Sequence, residues 1–265
     1  MTRRTGFVVL LATLLTLVAA PARAERRNPL EGQPSIRHRL ELRNLRFEAT
    51  PFIGFTILQD FNNTFYGGIK LEYHLSDWFA IGGLVGGGAA VGTGLKTTLL
   101  DTLKDSPSMG GPARADAENA MNHIAWWAAA QGEFTPFGGK FAMFSKAFFN
   151  YDFYVGGGAG FVGLSNGLDA SHTPSNCGSN AMSNEFGCNT GVKIGPTVMA
   201  GIHMFFNDWM AFDLSYRTII IKDNPAGRDA NGDRTVNDDD LGWSYKQFVS
   251  LGLAFYLPAK APISR

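Results

Sequence analysis

The sequence predicts an all-β protein, a transmembrane antiparallel up-and-down β-barrel of about eight strands with long extracellular loops. Three observations favour this fold: apolar and polar residues alternate over long segments, short and long connections follow one another, and charged residues are few. Charged residues make up 17% of the chain, below the ~25% typical of soluble domains. Glycine is abundant, at 32 of 265 residues. This composition indicates a chain with little water-facing surface.

The clearest alternation runs from Phe65 to Ser76, where Ile69 and Leu71 fall on one face and Lys70 on the other. Period two is the pattern of a strand with one apolar face. A strand of ten residues spans ~33 Å, and a 45° tilt brings this close to the ~25 Å apolar band of a membrane barrel. Eight strands are predicted by this reasoning: Arg46–Leu58, Phe65–Ser76, Phe79–Val91, Asn122–Phe134, Asn150–Gly163, Val192–Phe206, Met210–Ile220 and Tyr245–Leu257.

The predicted connections differ in length at the two ends of the barrel. Residues 76–78 and 207–209 form tight turns, whereas residues 92–121, the cysteine-containing segment and residues 222–243 are long. Long extracellular loops opposite short turns are typical of outer-membrane barrels. Two connections fit less well: Asp60–Thr64 is short for an outer loop, and Phe137–Phe149 is long for a turn. Aromatic residues beside the tight turns are expected at the membrane interface, namely Trp78, Trp209, Tyr73 and Phe206.

The N-terminus has the three parts of a secretory signal peptide. Arg3 and Arg4 precede an apolar stretch, and Ala22-Arg23-Ala24 provides the small-x-small cleavage pattern. A membrane anchor is the alternative, but the apolar run falls short of the ~20 residues that a spanning helix needs. We therefore predict a signal peptide at 1–24, a periplasmic segment at 25–45, the barrel at 46–258 and a tail at 259–265.

Two segments of the sequence resemble those of a known protein family. These are Leu75-Ser-Asp-Trp-Phe-Ala-Ile-Gly82, at a tight turn, and Phe248-Val-Ser-Leu-Gly-Leu-Ala-Phe-Tyr-Leu-Pro258, in the last strand. With the signal peptide, they look like small Gram-negative outer-membrane β-barrel proteins of the OmpA/OmpX/OmpW-like group. The resemblance implies a location in the bacterial outer membrane, contact with its lipid, and insertion by the barrel-assembly machinery. That machinery reads a C-terminal aromatic residue, which Phe255 and Tyr256 would supply, although further residues follow them.

An eight-stranded barrel is just wide enough for side chains to fill it. Balanced charges in such a lumen should pair, because an unpaired buried charge costs several kcal/mol. We therefore expect a barrel plugged by salt bridges, with a narrow pore or transporter for small solutes as the alternative. A soluble barrel of lipocalin type would place the same charges in water. The predicted register points ten charged residues inward: Arg46, Glu48, Lys70, Glu72, Glu133, Asp152, Lys193, Asp213, Arg217 and Lys246.

The last long loop contains a motif similar to the calcium loops of EF-hand and dockerin modules. Oxygen-bearing residues occur at the spacing that wraps ligands around one cation, although Arg234 stands where a glycine is expected and flanking helices are absent. An acidic surface loop is the alternative. The tentative calcium ligands are Asp229, Asn231, Asp233, Thr235, Asn237 and Asp240.

Other candidate chemistry is limited. Cys177 and Cys188 are the only cysteines of an exported chain, and we expect them to form a disulfide that pins a loop. Ser171 and His172 are adjacent, but no third residue completes a nucleophilic triad.

Removal of the signal peptide changes the net charge from 0 to −3, which argues against a nucleic-acid partner. We expect a monomer without catalytic residues that acts structurally or through its loops, and a lipid-modifying enzyme is the weakest alternative.

Overall fold

The computed structural model describes residues 43–103, 114–143, 147–167, 189–232 and 238–259, which belong to one compact unit, residues 38–265. Eight antiparallel strands follow one another in chain order and close into a barrel, because β1 pairs with both β2 and β8. The predicted fold class is therefore confirmed. The strands are β1 (Phe47–Ile57), β2 (Asn62–His74), β3 (Phe79–Gly92), β4 (His123–Met143), β5 (Ala147–Ser165), β6 (Gly191–Asn207), β7 (Met210–Asp223) and β8 (Gly242–Leu257).

The outer wall of the barrel is apolar. Along β2, Lys70 and Glu72 are 4% and 1% exposed, whereas the intervening Leu71 is 42% exposed and Ile69 is 40% exposed. A water-soluble barrel would show the opposite arrangement, because charged side chains would face solvent. The wall therefore faces lipid, and the chain is a transmembrane barrel rather than a soluble one. Exposed apolar residues occur on all eight strands, including Ile53, Phe65, Val85, Trp126, Val155, Ile194, Val198, Leu214, Leu251 and Leu253.

The two ends of the barrel differ as predicted, with one exception. At the turn end, β2–β3 and β6–β7 are joined through 75–78 and 208–209. The segment Phe137–Phe149, predicted to be a connection, is instead a paired extension of β4 and β5, and only residues 144–146 join the two strands. A register shift between Phe134 and Phe137 lets the strand pass Pro136, which has no N–H to donate to a neighbouring strand. The prediction of a long connection there was wrong.

Two short helices lie at the loop end. Helix α1 (Gly94–Thr102) begins just after β3, with the Thr93 side chain accepting a hydrogen bond from the Lys96 N–H, and α2 (Arg114–Ala120) precedes β4. Leu100 of α1 packs with Ala117 of α2. A 3₁₀ turn at Asp238–Asp240 precedes β8. None of the helices in the described ranges is long and apolar enough to cross a membrane.

Inward glycines make room for the largest interior rings. A Cβ atom at Gly201 of β6 would lie 2.3 Å from the Tyr154 ring of β5, and one at Gly54 of β1 would lie 2.6 Å from the Tyr66 hydroxyl of β2. Each of these large rings thus occupies the space that a side chain would need at the glycine of the neighbouring strand. Since small barrels have no other space for such rings, the high glycine content is part of the packing.

Candidate functional site in the barrel interior

A cluster of charges fills the turn-end half of the lumen. The ammonium of Lys70 lies 3.1 Å from carboxylate oxygens of Glu48 and Glu72, 3.6 Å from Glu133 and 3.9 Å from Asp213. These five side chains come from four strands, and all are 4% exposed or less. One cation thus joins carboxylates from around the barrel, which links the strands through the interior.

Two histidines extend this cluster toward the turn end. His203 Nδ1 lies 2.9 Å from an oxygen of Asp152, and His74 Nε2 lies 3.0 Å from Glu48. Both rings are buried. His203 also stacks on Tyr154, with ring centroids 4.6 Å apart. The carboxylates are therefore surrounded by polar or cationic neighbours, as buried charges require.

The segment just before β1 closes the turn end as a strap, which we define as residues 43–46. The N–H groups of Arg43 and Asn44 both donate to the Asp77 side chain, at 2.7 and 2.9 Å. The Arg43 guanidinium enters the lumen, 3.2 Å from Asp152. Burial opposes its charge, but Asp152 and the more distant Glu133 raise the pKa of Arg43 above its ordinary value. Arg43 therefore remains a cation in the lumen.

A layer of aromatic and aliphatic side chains lies above the charged cluster, toward the loop end of the lumen. Trp127 stacks on Phe248 with ring centroids 4.4 Å apart, and Tyr66 and Phe52 pack against Trp127 at 5.4 and 5.9 Å. We call these four residues the ring layer. Arg217 lies beneath it, 5.7 Å from the Trp127 ring. The ring layer is part of a buried cluster that also includes Leu84, Ile124, Ala129, Val162, Leu164, Ile219 and Ile221.

Polar side chains at the loop end tie the bases of the outer loops together. Asn122 donates to the Asp223 carboxylate at 2.8 Å and to the Asn189 carbonyl at 2.9 Å. Asn62 donates to the Asn122 carbonyl, and Lys246 lies 2.8 Å from Asp223. These five residues form a mouth network that joins four loops. The loop end is thus held by hydrogen bonds between segments far apart in sequence.

The predicted interior charges occupy the lumen to different degrees. Nine of the ten are at most 5% exposed, whereas Lys193 is half-buried near the loop end of β6.

The predicted interface aromatics lie on the outer surface at the turn end, where Trp78 packs edge-on against Phe134 at 5.6 Å and Trp209 stacks on Phe255 at 6.1 Å. Tyr73 and Phe206 are also exposed there.

Three interior features were missed by the sequence reasoning: Arg43, Asp223 and the ring layer. Arg43 precedes the first alternating segment and crosses the rim, so no local pattern marks it. A signal for the apolar layer did exist, since Ile219 and Ile221 flank an outward Ile220. A consecutive apolar run means that both faces of the strand are apolar, which is how the sequence could have indicated this layer.

The calcium ligands are described only in part. Asp229 accepts a hydrogen bond from the Gly232 N–H at 2.6 Å, and Asp240 accepts one from the Ala230 N–H at 2.8 Å. Asp233, Thr235 and Asn237 lie outside the described residues, as do Cys177 and Cys188. In the described part of the chain, no group of three or more histidine, cysteine or acidic side chains is arranged to hold a metal. Calcium binding and the disulfide therefore stay predictions.

The pairing, the apolar wall and the filled lumen define an eight-stranded transmembrane barrel. No protein-family model matches the chain, and no characterised relative matches it by sequence. The solved structures similar to it include outer-membrane barrels and a designed transmembrane β-barrel. The N-terminal barrel domain of Pseudomonas aeruginosa OprF has a TM-score of 0.41 at 11% identity, covering 81% of this chain and 98% of that one.

Two further barrels are similar to a comparable degree. The outer-membrane protein OprG of Pseudomonas aeruginosa has a TM-score of 0.40 at 10% identity, covering 82% of this chain and 98% of that one. Neisserial surface protein A has a TM-score of 0.35 at 14% identity, covering 79% and 94%. Likenesses this distant assign no function and no site residue, so both must come from the interior itself.

Proposed function

We propose that this chain is a non-conducting barrel of the bacterial outer membrane, which anchors its outer loops for a structural or interaction role. The ring layer is the observation that supports this proposal best. An ion in the lumen would have to cross packed aromatic rings whose one side-chain oxygen, the Tyr66 hydroxyl, is already bonded to Ser250 and the Val249 carbonyl, and a dehydrated charge in such a place costs many kcal/mol. Side chains from β1, β2, β4 and β8 supply these rings.

The mouth network supports the second half of the proposal. Asn122 and Asp223 hold the loops that follow β3 and β7 against each other, and Asn189 joins the loop that precedes β6. Long loops with fixed bases present their tips in a defined arrangement. The barrel would then act as the rigid support, and the loops would make the contact.

Conductance measurement in planar bilayers tests the non-conducting interior. The purified barrel is refolded, its folding is verified by migration on unheated and boiled SDS gels, and it is added to a bilayer beside a known porin as positive control. We expect no reproducible unitary steps. Reproducible steps at one conductance would contradict the proposal and favour the narrow-pore alternative.

Lipid analysis of cells with and without the protein tests the enzyme alternative. A lipid-modifying enzyme would produce an altered lipid species.

Epitope tags test location and orientation together. One tag is inserted after Asn180, within the long loop between β5 and β6, and a second between Met143 and Ala147, at the tight turn. In an outer-membrane barrel, an antibody should reach the first tag on intact cells and the second only after permeabilisation. The reverse pattern would mean that the barrel lies in the membrane in the opposite orientation. N-terminal sequencing of the membrane fraction should begin at Glu25 if the signal peptide is cleaved as expected.

A further inference from the structure

The part of β4 that extends past the barrel rim has one open edge. Pairing between β3 and β4 ends at Phe79 and Phe134, whereas β4 continues to Met143 in partnership with β5. Within the described ranges, no strand pairs with residues 137–143 of β4 on the β3 side. An open edge is a row of unpaired N–H and C=O groups, which folded proteins normally cover or block.

The strap leads directly to this edge. Traced backwards from β1, it passes the end of β2, where the Leu45 N–H donates to the His74 carbonyl at 2.8 Å. It then reaches the β2–β3 turn, where Arg43 donates to Asp77. The next residue of that turn, Trp78, accepts a hydrogen bond from the Thr135 N–H of β4 at 2.9 Å. Arg43, at the start of the strap, therefore lies beside the turn that meets β4 where its open edge begins.

The preceding residues have the composition of a short strand. Residues 38–42 read His-Arg-Leu-Glu-Leu, so that Leu40 and Leu42 alternate with charged residues and no glycine or proline interrupts them. Five residues is a common strand length. We propose that residues 38–42 pair with residues 137–143 of β4 as an added strand outside the barrel. Because Leu42 adjoins the rim and β4 runs away from it, the two segments would be antiparallel.

This pairing would give both segments a role. The added strand covers an edge that would otherwise recruit other chains, and it anchors the strap so that Arg43 stays in the lumen. A second copy of the chain could occupy the same edge, but only at sufficient concentration. The chain's own residues 38–42 are joined directly to the strap, so their effective concentration at the edge is far higher.

Backbone amide exchange of the mature chain in lipid nanodiscs tests the proposal. The amide groups of residues 137–143 that point away from β5, resolved individually by NMR, should be protected in the unaltered protein. Leu40→Pro removes an N–H and disrupts strand pairing, so it should speed exchange there on the order of tenfold or more. Gly32→Pro, outside the proposed strand, is the matched control and should leave exchange unchanged. Heat-dependent gel migration verifies that both variants still form the barrel.

Two outcomes would overturn the proposal. The first is exchange as fast as in an unstructured peptide at those amides of residues 137–143 that point away from β5. The second is protection that Leu40→Pro does not reduce, since another occupant would then cover the edge, and loss of that protection on dilution would identify a second copy. A cross-linking scan is independent of any destabilising proline: Leu40→Cys, paired in turn with cysteine at each edge position, should form a disulfide at a single register. No disulfide at any position would also contradict the pairing.

Discussion

Replacement of Lys70 by methionine should destabilise the barrel more than removal of any other interior cation. The ammonium lies within 4 Å of four carboxylates, at 3.1, 3.1, 3.6 and 3.9 Å. Breaking one buried ion pair costs ~3–5 kcal/mol, because the remaining charge has no partner. Since four carboxylates share this cation, we expect a loss near the upper value, about 5 kcal/mol. Methionine preserves the side-chain volume, so the change in packing is small.

Urea unfolding of the reconstituted barrel, followed by tryptophan fluorescence, measures this loss. With a slope of ~2 kcal/mol per molar, a loss of about 5 kcal/mol lowers the midpoint by about 2.5 M. Lys246→Met is the matched control, because Lys246 pairs with Asp223 alone, and Asp223 keeps its hydrogen bond from Asn122. Its midpoint should fall by less. Adding Glu133→Gln to Lys70→Met removes one unpaired carboxylate and should restore part of the stability.

The reasoning fails if Lys70→Met unfolds at the same urea concentration as the unaltered protein, or at a higher one than Lys246→Met. Either result would mean that the carboxylates are stabilised without the central ammonium. Full stability of Lys70→Met without the second substitution would indicate that a carboxylate binds a proton at no cost.

Further predictions concern packing and the outer loops. Gly201→Leu places atoms in the ring opposite it and should cost ~1–3 kcal/mol, whereas Gly67→Ala, whose Cβ would find its nearest neighbour at 3.7 Å, should be tolerated in the same unfolding assay. If the last long loop binds calcium, terbium luminescence should appear and should vanish on Asp229→Ala with Asp233→Ala; luminescence that survives both changes would refute the site. Alkylation without reductant should leave the mass of the unaltered protein unchanged, and Cys177→Ser should free one reactive thiol if the disulfide is present.

The strands were predictable because lipid imposes a local rule. A strand between hydrocarbon and a polar lumen must alternate, and the predicted Phe65–Ser76 overlaps the observed Asn62–His74 almost fully. Pairing begins three residues before the predicted start, at Asn62, and ends two residues before the predicted end, because the N–H groups of Leu75 and Ser76 bond to the Phe79 carbonyl in the turn. The predicted fourth strand ends at Phe134, whereas β4 continues to Met143, because a register shift accommodates Pro136 and pairing with β5 resumes beyond it.

The interior was less predictable, because its partners are distant in sequence. Alternation showed that Glu48 and Lys70 face inward, yet it could not show that one ammonium would join four carboxylates. The strap gave no local signal, since Arg43 contacts Asp77 and Asp152 only after the barrel has closed. Register and closure decide such contacts, and a single sequence specifies neither directly.

The order of the residue layers along the lumen also predicts how substitutions would affect conductance. In the proposed non-conducting barrel, the strap lies across the turn end, the Lys70 cluster occupies the next level, and the ring layer and mouth network follow toward the loops. These barriers share few residues, so removing one leaves the others in place. Trp127→Ala with Phe248→Ala should therefore weaken folding without producing a pore, because the Lys70 cluster still blocks the path. A gated channel would behave differently: one substitution at its gate would open it. Conductance after a single substitution at any one level would thus indicate a gate. The absence of conductance after substitution at each level in turn would indicate a non-conducting support.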